Sequence, residues 1–261
     1  MPLFFIIGLF VGSFLNVLID RLPKGEPVVK GRSHCDKCKK TLKWYDLIPL
    51  LSFVLLKGKC RYCKANLSFY YPIVELTTGI VFAGIFLFIG GANINFITII
   101  SLIYYLFISS SLIVIFFVDL KYGIIPDKMI LPSIAAALTY LFLIHNSLFL
   151  IHFLSGFGAS LFFLFSFLLT KGRGMGFGDV KFAFLMGLIL GFPNIVVGLY
   201  IAFLTGAVVG CILIIWRKKR LTGTIIPFGP FLVLGTFSAM FWGEVIFQKV
   251  MLLLGLPSTT F

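Results

Sequence analysis

Asp119 and Asp179, sixty residues apart, each stand at the edge of a long apolar run. An ionisable side chain is costly at membrane depth, and where one occurs it is a functional candidate by default. If the two carboxyls meet, they cannot both ionise with ease. One keeps a proton while the other acts as a base, which is how an aspartic protease turns water against a peptide carbonyl. Asp119 falls near a helix C-terminus, whose dipole disfavours a carboxylate, and Asp179 near a helix N-terminus, which favours one. Asp179 is therefore expected to act as the base and Asp119 to hold the shared proton. Neither acid lies in the Asp-Thr-Gly or Asp-Ser-Gly turn of soluble aspartic proteases.

The residues around the pair suggest how it is served. Gly172, Gly174, Gly176 and Gly178 are expected to form a loop that adopts positive φ and admits an extended peptide. Their spacing, after an apolar helix rather than a strand, does not fit a dinucleotide-binding turn. Asp127, after Pro126, has two readings, ordinary first-turn chemistry at a helix start or a supporting role in the site. Lys181 likewise either snorkels to lipid headgroups or lends positive charge to Asp179.

A second constellation is Cys35-x-x-Cys38 and Cys60-x-x-Cys63, two pairs separated by 21 residues. This is close to the spacing of a structural four-thiolate zinc site, and the alternative is free or redox-active thiols. In a reducing cytoplasm structural disulfides are disfavoured. Four thiolates would close the metal's coordination, so zinc would shape the loop and leave water activation to the aspartates. The fifth cysteine, Cys211, sits alone in an apolar run and reads as a small buried hydrophobe.

The elements that must position these groups follow from composition. Of 261 residues, 60% are hydrophobic and 12% charged, a balance that describes a polytopic membrane protein. The runs are long and continuous, which favours an all-α bundle over a transmembrane barrel. About eight transmembrane helices are expected, near 3–19, 71–90, 96–118, 129–144, 149–170, 180–191, 195–216 and 228–254. The run at 180–191 is short for a full span. No basic stretch or small-residue cleavage site marks the first run as a removable signal, so it is expected to stay as a helix. In it Gly8, Gly12, Asn16 and Asp20 form one stripe, either a packing face or a substrate-contacting one. The expected organisation is a first transmembrane helix (1–20), a cytoplasmic four-cysteine loop domain (21–70) and a helical protease bundle (71–261).

A net charge of +13 would suggest nucleic acid in a soluble protein. Here the bases set topology instead. More than half of the 22 Lys and Arg lie between Arg21 and Lys64, and the rest fall at Lys121/Lys128, Lys171/Arg173/Lys181 and Arg217–Arg220, with only Lys249 apart. The intervening connections 91–95, 145–148 and 192–194 carry none. The positive-inside rule then puts these clusters in the cytoplasm, both termini outside, and Asp119 and Asp179 at the same face.

At Asp119 with Ile125-Pro126-Asp127, and at Gly176-Phe177-Gly178-Asp179-Val180-Lys181, the chain resembles the type IV prepilin peptidases, membrane aspartic proteases with a GxGD motif. Gly12-Ser13-Phe14-Leu15-Asn16-Val17, Arg21-Leu22-Pro23, the two cysteine pairs and Tyr71-Pro72-Ile73-Val74-Glu75 extend the likeness, in order, over nearly the whole chain. The resemblance implies cleavage of type IV prepilins or pseudopilins at the cytoplasmic face of the inner membrane, after a glycine that ends a short basic leader. It implies Asp119 and Asp179 as the catalytic pair and, as in many members, transfer of a methyl group from S-adenosylmethionine to the new N-terminus. Glu75 and Gly79 are the candidates for that second activity; the alternative is an interface anchor and a packing glycine. Two competing classes stand beside this one, a transporter with a zinc-binding cytoplasmic cap and a GxGD protease that cuts within a transmembrane helix. Against transport, both acids sit at the face rather than the midplane and no internal repeat is visible.

Overall fold

The computed structural model describes residues 1–28, 31–35, 37–90, 95–172, 174–216 and 226–253. Lys30, Arg173, Arg217, Lys218, Lys219 and Arg220, most of the 91–95 connection and the last residue of the expected 228–254 span lie outside the described residues. Among the described residues the regular structure is helical, with isolated bridges and no strand. The chain forms two compact units, Met1–Val114 and Ile115–Phe261.

The first unit contains α1 (Pro2–Arg21), a short α2 (Leu51–Leu55), α3 (Tyr70–Phe88) and the first part of α4 (Phe96–Tyr122). The glycine stripe of α1 is its packing face against α3. A methyl group on Gly8 would lie 2.7 Å from the Cα of Gly79, and one on Gly12 would lie 2.7 Å from the Cα of Glu75. Small residues let the two backbones approach this closely. The polar end of the stripe finds partners on the same helix: Asn16 Nδ2 donates to the Tyr71 carbonyl at 3.2 Å, and the Tyr71 hydroxyl donates to Asp20 at 3.1 Å.

The second unit contains the rest of α4, then α5 (Asp127–Ile144), α6 (Phe149–Leu169), α7 (Phe177–Leu190), α8 (Asn194–Ile215) and α9 (Gly229–Leu253). Its hub is α7, which packs on α5, α6, α8 and α9 and buries residues on every side, Val180, Phe182, Leu185 and Leu188 among them. Seven helical segments among the described residues are long and apolar enough to cross a membrane; the protein is a multi-pass membrane protein. At 14 residues α7 is not one of the seven. It is about 21 Å long, against about 30 Å of hydrocarbon. Such a length with burial all round is that of a helix enclosed by protein.

The contact between α6 and α7 depends on two glycines whose backbones touch. A methyl group on Gly187 would overlap the backbone of Gly156. Gly187→Ala is expected to cost about 1–3 kcal/mol or more through forced separation of the helices. Gly158→Ala in α6, where a methyl meets open space, is expected to be neutral or stabilising by about 0.5–1 kcal/mol. Thermal unfolding of the two variants in the same detergent checks the contrast.

Candidate active site

Asp119 lies in the last turn of α4, and Asp179 in the first turn of α7. Both are buried, at 4% and 6% exposure, and close enough that the charge of Asp119 acts on Asp179. Asp179 is held by the start of its own helix. Gly176 caps α7 in an extended conformation, its N–H donates to Asp179 Oδ2 at 3.0 Å, and the Asp179 N–H donates to the Gly176 carbonyl at 3.1 Å. A carboxylate at the third helical position that reaches back to the cap satisfies a donor the helix cannot. Asp119 faces the start of α9, with the Gly229 amide against its carboxylate. Each acid retains one buried oxygen, Asp119 Oδ2 and Asp179 Oδ1, with no hydrogen-bond partner among the described residues. Buried polar atoms are almost always satisfied, so two such oxygens in one site mark a place for a shared proton or a reacting molecule.

The glycines act differently from the sequence expectation. Of the four, Gly172 alone has positive φ (72°), where the chain leaves α6 and its N–H returns to the Phe167 carbonyl. Gly176 is the cap of α7, and Gly178 lies inside its first turn. Gly178 is small because Ile125 packs on it: a methyl there would lie 3.0 Å from the Ile125 Cβ. This seats the Ile125-Pro126 turn on the helix that carries Asp179.

An ion pair fastens the same two segments. Lys181 Nζ sits 2.7 Å and 2.8 Å from the two oxygens of Asp127, the first residue of α5, and also lies over the Phe177 ring. The charge of Lys181 is thus turned toward Asp127, which does more than open its helix. The side chains are 34% and 55% exposed, so the pair is worth at most about 1 kcal/mol. Lys181→Ala is expected to slow cleavage about fivefold if that contribution is spent on placing α7. The exchanged pair, Asp127→Lys with Lys181→Asp, should recover most of the loss, as measured by initial rates.

Gly229 was not legible as a site residue. A methyl group on it would lie 2.5 Å from Asp119 Oδ2, so a side chain is incompatible with the acid in this position. The available signal was Pro227-Phe228-Gly229-Pro230, a glycine between two prolines at the mouth of an apolar run.

In the first unit the four paired cysteines converge, their sulfurs all within 4.8 Å of one another. Tetrahedral zinc with bonds of about 2.3 Å sets its sulfurs about 3.8 Å apart. The Cys35 and Cys63 sulfurs are 3.9 Å apart, and the cluster fits that metal. The two halves are built alike. In each, an amide returns to the first cysteine's carbonyl (Lys39 to Cys35, Lys64 to Cys60) from a lysine with positive φ, 56° and 57°. Close thiols resist joint ionisation without a cation. Cys60 is drawn down to about 7, mainly by the Cys63 backbone N–H. Cys63 is pushed up to about 11, the pull of the Ala65 N–H being outweighed by burial and the surrounding thiols. Asp46 braces the second half, accepting from Arg61 Nε at 2.6 Å and from Tyr62 at 3.2 Å.

Glu75 and Gly79, one turn apart on α3, have separate surroundings. The Glu75 carboxylate accepts the Leu50 N–H at 2.8 Å and lines a cavity of about 260 Å³ beneath the cysteine loop. Gly79 lies in the α1 contact, where an added methyl would meet Phe5 and Leu9 at 3.0 Å.

Comparison with known proteins gives the arrangement its context. Residues 6–89 match the bacterial peptidase A24 N-terminal domain, and residues 106–211 match the type IV leader peptidase family. The chain is 32% identical to the prepilin leader peptidase/N-methyltransferase of Pseudomonas aeruginosa over 279 residues, covering 92% of this chain and 90% of that one. The protein of the same description from Stutzerimonas stutzeri is 31% identical with the same coverage. That from Myxococcus xanthus is 34% identical over 226 residues, 82% of this chain and 64% of the other. The chain belongs to the type IV leader peptidase family. No solved structure matches it at a significant level. Membership makes it an enzyme, a peptidase, and removes the transporter alternative. The leader peptidase match spans Asp119, Asp127, Asp179 and Lys181, whereas the N-terminal match spans the four cysteines, Glu75 and Gly79.

Proposed function

We propose that this member of the family removes the basic leader of type IV prepilins or pseudopilins, cutting after glycine at the cytoplasmic face of the inner membrane. The observation that carries this reading is the pair of buried acids, each with one unpartnered oxygen, at adjoining ends of α4 and α7. Asp119 and Asp179 are the catalytic pair. One takes a proton from the attacking water, and the other gives a proton to the carbonyl oxygen as the tetrahedral intermediate forms; the roles then reverse as the amine leaves. Gly176, Gly178 and the Asp127–Lys181 pair hold Asp179 at the start of its helix. Residues 21–70, within the first unit, are the cytoplasmic four-cysteine loop domain, held by zinc on Cys35, Cys38, Cys60 and Cys63. With α7 counted as a crossing enclosed by the bundle, both termini lie outside, by the distribution of Lys and Arg.

The relatives' shared description also names N-methyltransferase activity. The protein is expected to methylate the new N-terminal amine, with S-adenosylmethionine supplying the methyl group. Glu75 is the better placed of the two candidates for this step because its carboxylate lines a cavity, whereas Gly79 is enclosed between helices. One experiment tests both activities: the purified, membrane-embedded protein is incubated with a prepilin and a labelled methyl donor, and the new N-terminus is read by mass spectrometry. Cleavage at the junction of the basic leader and the apolar segment, with label on the new amine, is the expected result. A cut inside the apolar segment would assign the enzyme to proteases that cleave within the membrane.

A further inference from the structure

The short helix α2 and the residue after it have two unlike faces. Ser52, Phe53 and Leu56 turn inward: all three line the cavity of the first unit, and Phe53 also packs beside Gly58 and meets the Phe69 ring edge-on, the ring centres 5.2 Å apart. Leu51, Val54 and Leu55, at positions i, i+3 and i+4, share the other face and are exposed, Val54 at 69% and Leu55 at 71%. Contiguous exposed apolar side chains mark a surface of interaction.

This face continues onto a membrane-spanning helix. Phe69, 72% exposed, stands just before α3, and the exposed Ile73, Leu76 and Ile80 follow it at helical intervals as one stripe. The opposite face of α3, with Glu75, Thr78 and Gly79, lies against α1. Because α3 is long and apolar enough to cross a membrane, the stripe faces lipid and the first turn of α3 stands at the membrane–water interface. The contact of Phe53 with Phe69 sets α2 beside that turn.

The neighbouring charge selects the occupant. The exposed Lys57, Lys59 and Lys64 line a hollow together with Leu55, Leu56 and Cys60. Among the described residues no carboxylate lines it, and none of the three lysines is ion-paired. Apolar side chains beside ammonium groups on long stems match the boundary between acyl chains and headgroups. A basic leader peptide would be repelled here, and a second copy presenting the same face would set lysines against lysines. Anionic phospholipid answers both halves, with chains for the apolar face and phosphate for the ammonium groups.

We infer that α2 is an interfacial anchor of the cysteine loop: Leu51, Val54, Leu55 and Phe69 enter the acyl boundary of the adjacent leaflet, and Lys57, Lys59 and Lys64 meet the phosphates of its anionic phospholipids. The bilayer then sets the attitude of the loop together with its metal. This goes beyond the peptidase and methyl-transfer readings and is tested without turnover.

The test is photo-crosslinking of the full-length, zinc-loaded protein in nanodiscs of phosphatidylcholine, with and without phosphatidylglycerol. Photo-reactive benzoylphenylalanine replaces Val54, and the adducts are identified by mass spectrometry. The same probe in place of Ile80, on the lipid-facing stripe of α3, calibrates the yield. A phospholipid adduct at position 54 is expected, with a yield that rises about threefold or more when phosphatidylglycerol is present. The combined variant Lys57→Gln, Lys59→Gln, Lys64→Gln should abolish that rise while zinc content and melting temperature stay unchanged. Crosslinking chiefly to another segment of the chain or to a second copy, no lipid adduct at all, or a lipid yield indifferent to phosphatidylglycerol overturns the inference.

Discussion

Asp119→Asn and Asp179→Asn are each expected to reduce prepilin cleavage by about 10²–10⁴-fold, with little loss of folded protein. The amide is the same size as the acid, so the buried packing around each site is kept. What disappears is the capacity to exchange a proton. The two losses should not multiply: once either acid is gone the other has no partner, and the double variant should be about as inactive as each single one. In the wild type, kcat against pH should be bell-shaped, and both limbs belong to the pair rather than to either residue. Gly229→Ala provides a control of a different kind. Its methyl would displace the Asp119 carboxylate without touching the chemistry of either acid. A variant Asp179→Asn that cuts at the wild-type rate would remove the foundation of the proposed mechanism.

The second large effect concerns the metal. Replacing Cys60 with Ser, or stripping zinc with a strong chelator, is expected to unfold the cysteine loop, because structural zinc of this type contributes about 10–16 kcal/mol of apparent binding energy at neutral pH. Among the described residues the β-pairing of the loop is confined to two isolated bridges, His34 with Thr41 and Lys59 with Asn66, which are too small to hold the segment alone. Cys38 and Cys63 are exposed and Cys35 and Cys60 buried, so a chelator has access from one side of the cluster. Metal content per chain and protease susceptibility of residues 21–70 should change together. Cleavage should fall far less than in the aspartate variants, since no cysteine belongs to the proposed catalytic pair. A zinc-free loop that resists protease as well as the loaded one would sink the structural role.

Helices, connections and the convergence of the four cysteines could be read from the chain because each has a strong local signal. Hydropathy runs of 18 residues or more and two Cys-x-x-Cys pairs admit few alternatives. The helix ends differ from expectation by a few residues, as at α4, which continues from the expected 118 to Tyr122 and so carries Asp119 inside its last turn. What could not be read was geometry set by distant partners. By residue type Gly178 suggests a loop, but its neighbour Ile125 lies on another segment and leaves no trace in the local sequence. The pairing of Lys181 with Asp127 had the same character, since both residues have adequate local explanations and only the fold joins them. Gly229 has little local signal for a related reason: a glycine at the mouth of an apolar run is ordinary until an acid lies against it.

The enclosure of α7 bears on how the protein is made. A segment of 14 residues has too few turns to settle in lipid by hydropathy alone during synthesis. Its place is fixed by α5, α6, α8 and α9, of which the last two emerge from the ribosome after it. Maturation of the enzyme must therefore wait for the C-terminal helices, and chains truncated before them should be inactive with every residue of the aspartate pair already translated.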